Sequence, residues 1–489
     1  MATRKQFLLF LAVILPLLFA YGDEENFDVR KHLSTVSRYD FVKDLYDKNF
    51  VPTKIPDECR PIHLNLVARH GTRSPTKKRL RELEKLSTSL EEVLSSLKSQ
   101  KGGDALKKIP EWLKSWQSPW KGKKKGGELV KEGEDELYGL GVRVRERFEE
   151  LFKDEYHPDI ITIKSTQVPR ASASAVAFGM GLFNGKGSLG PGQHRAFAVI
   201  SESRASDIWL RFHDTCERYG DYRKHEEPSV KKLKEPTIEE VSIALSERYQ
   251  LNITRQLTAS LWFLCKQEAS LLNITDQACG LFTPSEVSLL EWTDDLEGFI
   301  LKGYGNPINY RMGVPLLEDT IQSMERAITA KEEKQSPGSY EKARLRFAHA
   351  ETIVPFSCLL GLFLDGDEYT RIQKEQALES PPRPPQKRSW RGNTVAPFAG
   401  NNMLVLYNCP SDNKYFVQVL HNEVPVGLPG CGYSDFCPFE DFKEHVVNPH
   451  LRQNYDSICK IPQPEPGYFS KLYNWFYPGS CHHGKKSEL

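Results

Sequence analysis

The chain has 489 residues, with 66 Lys and Arg against 65 Asp and Glu and a formal net charge of +1. So even a balance excludes a partner choice driven by bulk charge, and any preference for a polyanion must come from local clustering. Ten cysteines fit an oxidising compartment, and none is paired as Cys-x-x-Cys, which argues against a zinc site.

Residues 1–22 read as a secretory signal: Arg4 and Lys5 precede an apolar run from Phe7 to Phe19, and Ala20 or Gly22 supplies a small residue for cleavage. The run is shorter than the roughly 20 residues that span a bilayer. Cleavage is therefore expected rather than anchoring, and no later segment is apolar enough to span. The remaining chain is long enough for two domains.

The first strand is expected just before Arg69, where Ile62, Leu64 and Leu66 alternate with His63 and Asn65 and Val67-Ala68 follow. It runs into Arg69-His70-Gly71-Thr72-Arg73-Ser74-Pro75. Ligands of open α/β sheets bind beyond the carboxyl ends of strands. Two guanidiniums there can grip phosphoryl oxygens as forks, and an imidazole held unprotonated at one nitrogen can attack phosphorus. Gly71 is expected to let the backbone come close to the ligand.

From Arg79 to Gln100, Leu80, Leu83, Leu86, Leu90, Leu94 and Leu97 follow three- and four-residue steps, the pattern of an amphipathic helix. The stretch with Trp112, Trp116, Trp120, Lys121 and Lys123–Lys125 is read as a solvated loop rather than a nucleic-acid surface, with a face toward a polyphosphate as a third reading of its lysines. A helix is expected over Leu129–Phe152, a second strand over Ile160–Thr166, and a small-residue helix over Ala171–Phe183. Arg170 stands between that strand and that helix, where anions are favoured. Asp207 to about Lys334 is mostly helical in pattern and carries two glycosylation sequons, at Asn252 and Asn273.

Strand alternation resumes over Ala343–Glu351, and on a continuing strand His349 and Glu351 face the same way. An apolar helix from Ile353 to Leu364 is expected next, then an exposed proline-rich loop at Ser380–Pro385. Strands at Met403–Asn408 and Tyr415–Leu420 are joined by a hairpin turn at Pro410–Lys414. The chain ends in Lys-Ser-Glu-Leu, which resembles the address that returns proteins to the endoplasmic reticulum, with Ser487 as a departure. A retrieval receptor is thus an expected partner, and the lumen of the endoplasmic reticulum, with partial secretion, the expected location.

Arg69, His70, Gly71, Arg73 and Pro75 match the Arg-His-Gly-x-Arg-x-Pro signature of the histidine acid phosphatase family, which the chain resembles from about Cys59 to Cys459. The related phosphoglycerate mutases share Arg-His-Gly but usually lack the second Arg and the Pro. Arg170, in its Ser-Thr…Arg…Ser-Ala context, resembles the family's third phosphate-holding arginine. The family's second motif is usually His-Asp; here it is His349-Ala350-Glu351, which resembles the multiple inositol polyphosphate phosphatase branch.

The resemblance implies an α/β fold: a sheet flanked by helices, built from residues 23–206 and 336–480, with an inserted, mainly helical cap at 207–335 and a tail at 481–489. It implies His70 as nucleophile, Glu351 as proton donor, and Arg69, Arg73, Arg170 and His349 as phosphate ligands. The basic run at Lys77 and Lys78 is a candidate second contact for a substrate with several phosphates. The implied substrates are inositol hexakisphosphate, its lower forms and 2,3-bisphosphoglycerate; a broad acid phosphatase or a non-catalytic luminal binding protein of the same fold are the alternatives. No metal or cofactor is expected, because the guanidiniums supply the charge and no cluster of carboxylates and histidines stands at metal spacing. The implied disulfides are Cys59–Cys409, Cys216–Cys459, Cys265–Cys279 and Cys431–Cys437, with Cys358 and Cys481 left over.

Overall fold

A computed structural model of the protein describes residues 27–461, apart from 46–49, 101–106, 337, 365–382, 385–387 and 411–413. The expected signal segment, Cys481, the C-terminal Lys-Ser-Glu-Leu and most of the proline-rich loop lie outside the described residues.

Among the described residues, seven strands form one mixed sheet in the order β2-β3-β1-β4-β5-β6, with β7 also on β5. They are β1 (Arg60–Arg69), β2 (Ile161–Ser165), β3 (Ala343–Ala348), β4 (Asn401–Cys409), β5 (Lys414–His421), β6 (Val424–Pro425) and β7 (Phe436–Pro438). β1 and β2 both run parallel to β3, whereas β4 is antiparallel to β1 and to β5. The last eight residues of β1 are buried, as expected of a strand covered on both faces. The strict alternation read in the sequence breaks near its start, because the pairing with β4 shifts register between Pro61 and His63. Ile62 therefore joins the core that holds Val67, while Leu64, Leu66 and Ala68 face the other one.

The longer helices among the described residues are α1 (Lys77–Gln100), α2 (Lys131–Arg147), α3 (Pro169–Leu182), α4 (Glu217–Tyr249), α5 (Arg255–Gln267), α6 (Pro284–Lys302), α7 (Val314–Glu332) and α8 (Ala350–Leu359). One sheet face packs on α2 and α3 through Leu137, Leu140, Ala175 and Phe178. The other packs on α6, α7 and α8 through Leu296, Leu317, Ile321 and Phe356. A third core lies off the sheet, where the leucine stripe of α1 meets Val241 and Leu245 of α4, Leu257, Leu261 and Leu264 of α5, and Leu290 of α6. The helical segment 207–335 is thus divided between two cores. α4 crosses from one to the other, with Tyr219 and Val230 in the first and Val241 and Leu245 in the second.

Three readings of local structure are corrected. Trp116 and Trp120 are buried in the third core, so the tryptophan-rich stretch is packed through its rings while Lys121 and Lys123–Lys125 are exposed. The helix expected over Leu129–Phe152 breaks at Phe148, where ψ is 44°. The third strand stops at Ala348 and α8 begins at Ala350, three residues before the expected helix start, so His349 and Glu351 are not strand neighbours.

Four disulfides join Cys59 to Cys409, Cys216 to Cys459, Cys265 to Cys279 and Cys431 to Cys437, the pairing the resemblance implies. Cys358 is a buried free thiol. Among the described residues no helix is long and apolar enough to cross a membrane.

Candidate active site

β1 and β3 are adjacent and parallel with Arg69 opposite Ala348, so both end at the same level. The His70 amide donates to the Ala348 carbonyl at 3.0 Å. Two motifs far apart in sequence thereby meet, and the rings of His70 and His349 stand 5.4 Å apart, centroid to centroid.

His70 is buried, and its Nδ1 lies 2.9 Å from the Gly71 carbonyl oxygen. A carbonyl only accepts, so Nδ1 carries the proton and Nε2 keeps its lone pair. Burial, then the positive charge of Arg69 and the neighbouring His349, Arg170 and Arg73, hold the imidazole well below the usual histidine range. Gly71 serves a different purpose from the one expected. A Cβ there would lie 2.2 Å from the Gly133 carbonyl oxygen, so the missing side chain admits the first turn of α2 rather than a ligand. The turn is fixed by buried Glu136 of α2, which accepts from the Thr72 amide at 2.8 Å and the Thr72 hydroxyl at 2.9 Å.

Three arginines converge on the imidazole. Arg69 donates through one terminal nitrogen to the carbonyls of Thr35 (2.6 Å) and Ala396 (2.7 Å) and stacks 4.3 Å over Phe398. Arg73 donates to the Ser74 carbonyl. Arg170 is the second residue of α3, following Pro169 at the first helical position. Burial first, and then mutual repulsion with Arg73, lowers Arg69 to about 9 and Arg170 to about 10. The buried Nε atoms of Arg69, Arg73 and Arg170 have no hydrogen-bond partner. An unpaired buried donor costs about 1–3 kcal/mol, and all three arginines line the cavity that holds His70.

His349 is held by a residue that sequence reading missed. Arg211, buried, donates to His349 Nε2 at 2.9 Å and is itself gripped by Asp214. A guanidinium cannot accept, and the Arg211 contact, joined at Nε2 by the Thr166 hydroxyl at 3.0 Å, is shorter than the 3.4 Å contact of Arg170 at Nδ1, so Nε2 holds the lone pair and Nδ1 carries the proton. That proton points to the side of Arg170, whose terminal nitrogen lies 3.4 Å from Nδ1. Two donors so placed share one acceptor, which a phosphoryl oxygen supplies.

Glu351 sits in the first turn of α8 and takes an ion pair from Lys302 at 2.8 Å. Burial favours its neutral form, but Lys302, His213 and His349 together outweigh that and hold the carboxyl well below its usual range. Arg69, His70, Arg73, Arg170 and Glu351 line one cavity of about 380 Å³, together with Arg79, Lys234, Lys266, Asp294, Lys302 and Phe398. Lys77 and Lys78 are exposed on the first turn of α1 and are not among the lining residues; Arg79 is. No spacing rule marks Arg211, Lys302, Lys234 or Lys266, because each reaches the site only through the packing of helices distant in sequence. Asn252 and Asn273 are both exposed, as a glycan would require.

Residues 62–422 match the histidine phosphatase superfamily (branch 2), and the chain belongs to that family. Among curated proteins it is 27% identical to the multiple inositol polyphosphate phosphatase 1 of Dictyostelium discoideum, over 84% of this chain and 70% of that one. It is 26% identical to the human protein of the same name, over 81% and 80%. In fold it resembles the phytase from D. castellii, with a TM-score of 0.65 at 18% identity over 95% of this chain and 96% of that one. The Bifidobacterium longum multiple inositol polyphosphate phosphatase in complex with inositol hexasulfate gives 0.60 at 18%, covering 86% and 99%.

Proposed function

We propose that the protein is a phosphomonoesterase that hydrolyses inositol polyphosphates, from inositol hexakisphosphate downward, through a phosphohistidine on His70. The observation that carries this reading is the pairing of a neutral, buried His70 with three guanidiniums whose Nε donors lack partners. Arg69, Arg73 and Arg170 take the charge of the scissile phosphate, and His349 donates from Nδ1. Phosphoryl transfer needs mainly such positioning and charge stabilisation.

His70 Nε2 attacks phosphorus in line, the bond to the inositol oxygen breaks, and Glu351 gives that alkoxide its proton. Water then attacks the phosphohistidine and passes a proton to the Glu351 carboxylate, which frees His70 and inorganic phosphate. Lys302 keeps Glu351 ionised. An arriving phosphate dianion brings negative charge beside the carboxylate and competes for Lys302, and both effects raise the carboxyl's affinity for a proton. The names of the relatives support the substrate class, and the cavity is large enough for a ligand well beyond a single phosphate. We include 2,3-bisphosphoglycerate as a second substrate. We also propose residence in the endoplasmic reticulum lumen, with retrieval through the C-terminal Lys-Ser-Glu-Leu and glycans on Asn252 and Asn273.

Phosphate release from inositol hexakisphosphate and from an aryl phosphate tests the substrate reading. Release from both is expected. Release from the aryl phosphate alone would indicate a broad acid phosphatase, and release from neither a binding protein.

A further inference from the structure

The cavity that holds the catalytic arginines is also lined by a second charged cluster, built from three helices of different sequence origin. Lys234 of α4 donates to Asp294 of α6 at 3.1 Å and to Glu297 at 2.7 Å. Lys266 of α5 donates to the same Asp294 at 2.6 Å, 5.4 Å over the ring of Trp262, whose indole N–H also bonds Asp294 at 2.9 Å. All of these charged groups line the cavity that holds His70.

An ion cluster of this kind can act as a staple between helices, and buried ion pairs are weak evidence for stability. Two features point instead to a ligand. Asp294 receives three donors and is held well below the usual carboxylate range, because Lys266 and Lys234 outweigh the effect of its burial. It is therefore a fixed anchor whose acceptor capacity is largely spent. Each ammonium has three hydrogens; Lys266 gives one to Asp294 and Lys234 gives two to carboxylates, so both keep donors for the cavity. The second carboxylate, Glu297, is about half exposed (49%), while the Lys234 side chain is 15% exposed. Glu297 is the partner that an incoming anion can displace, and Asp294 is the one that stays.

We propose that Lys234 and Lys266, pre-positioned by Asp294, form a subsite for a phosphate of the substrate other than the one being cleaved, with Glu297 as the group that this phosphate displaces. The inference rests on the proposed polyphosphate substrate and assigns it a second point of attachment. A charge-assisted hydrogen bond is worth roughly twice a neutral one, so losing one of these ammoniums is expected to weaken polyanion binding about tenfold.

The test is calorimetric binding of inositol hexasulfate and of inorganic phosphate to the full-length protein, in wild type and in Lys266→Met, Lys234→Met and Glu297→Gln. The expected result is that either lysine variant loses about ten times more affinity for the hexasulfate than for phosphate. Glu297→Gln, which changes a half-exposed side chain, is expected to tighten hexasulfate binding by freeing Lys234. Equal losses on both ligands, no loss, or a Glu297→Gln protein that binds the hexasulfate no more tightly would overturn the subsite and leave a helix staple. A wild type that binds no hexasulfate would overturn it as well. Failure of the substrate reading appears separately, as absent phosphate release from inositol hexakisphosphate by a wild type that still binds the hexasulfate.

Discussion

At the scale of single residues, the chemistry turns on which nitrogens and oxygens carry protons. Burial and the surrounding arginines keep His70 neutral, and the Gly71 carbonyl holds the remaining proton on Nδ1, which leaves Nε2 free. A lowered pKa means that the free base persists as the pH falls, so the acidic limb of kcat/KM is expected well below the ordinary histidine value of 6.5. A limb at or above that value, measured with an aryl phosphate, would contradict the neutral nucleophile. Glu351 makes a second case. As proton donor it matters most when the leaving alkoxide is poor, so Glu351→Gln is expected to cost roughly 10²–10⁴-fold in kcat on an inositol phosphate and clearly less on a nitrophenyl phosphate. Equal losses on the two would remove Glu351 from the proton transfer.

At the scale of elements, two parallel strands do the assembling. Because β1 and β3 end in register, His70 and His349 need no long loop to meet. The strand before Arg69 is legible as local alternation, but the pattern alone also fits a basic turn, and it is the resemblance of Arg69–Pro75 to the family signature that marks the site. Arg170 alone would pass for a surface residue after a strand, and again the resemblance of its context singles it out. His349 and Glu351 were legible as residue types but not as geometry. The expected strand runs three residues past the end of β3 at Ala348, and the helix start at Ala350 is what turns Glu351 toward Lys302. Arg211 was not legible at all, because its role depends on a loop folding back on His349. Its substitution is a sharp test of the element-level packing. Arg211→Gln is expected to lower kcat roughly 100-fold while the protein stays folded by circular dichroism, with partial recovery in Arg211→Lys, which restores a cationic donor. A loss confined to KM would show that Arg211 does not set the His349 proton.

At the scale of the whole molecule, two bodies of core face the cavity: the sheet with its flanking helices, and the third core built on the leucine stripe of α1. The sequence pattern of α1 marks a buried face but not what covers it, and Lys234 and Lys266 stand on helices far along the chain that no local pattern brings to the site. The longest closed loop belongs to Cys59–Cys409, which ties the entry of β1 to the end of β4 across 350 residues. Replacing both cysteines with Ala is expected to destabilise the protein by about 2–5 kcal/mol, read as a lower midpoint in denaturant. Catalysis in the folded fraction is expected to persist, because the bond lies at the strand end away from His70. Loss of turnover without loss of stability would mean that this bond shapes the site itself.

All of the proposed chemistry depends on a covalent intermediate at His70. Mixing the wild type with inositol hexakisphosphate labelled in its phosphates, quenching in base, where phosphohistidine survives, and mapping the label by peptide mass spectrometry examines that step directly. Label is expected on the peptide carrying His70, and none in His70→Ala, which also releases no phosphate. Turnover by His70→Ala, or label on a different residue in the wild type, would contradict a phosphohistidine at this position.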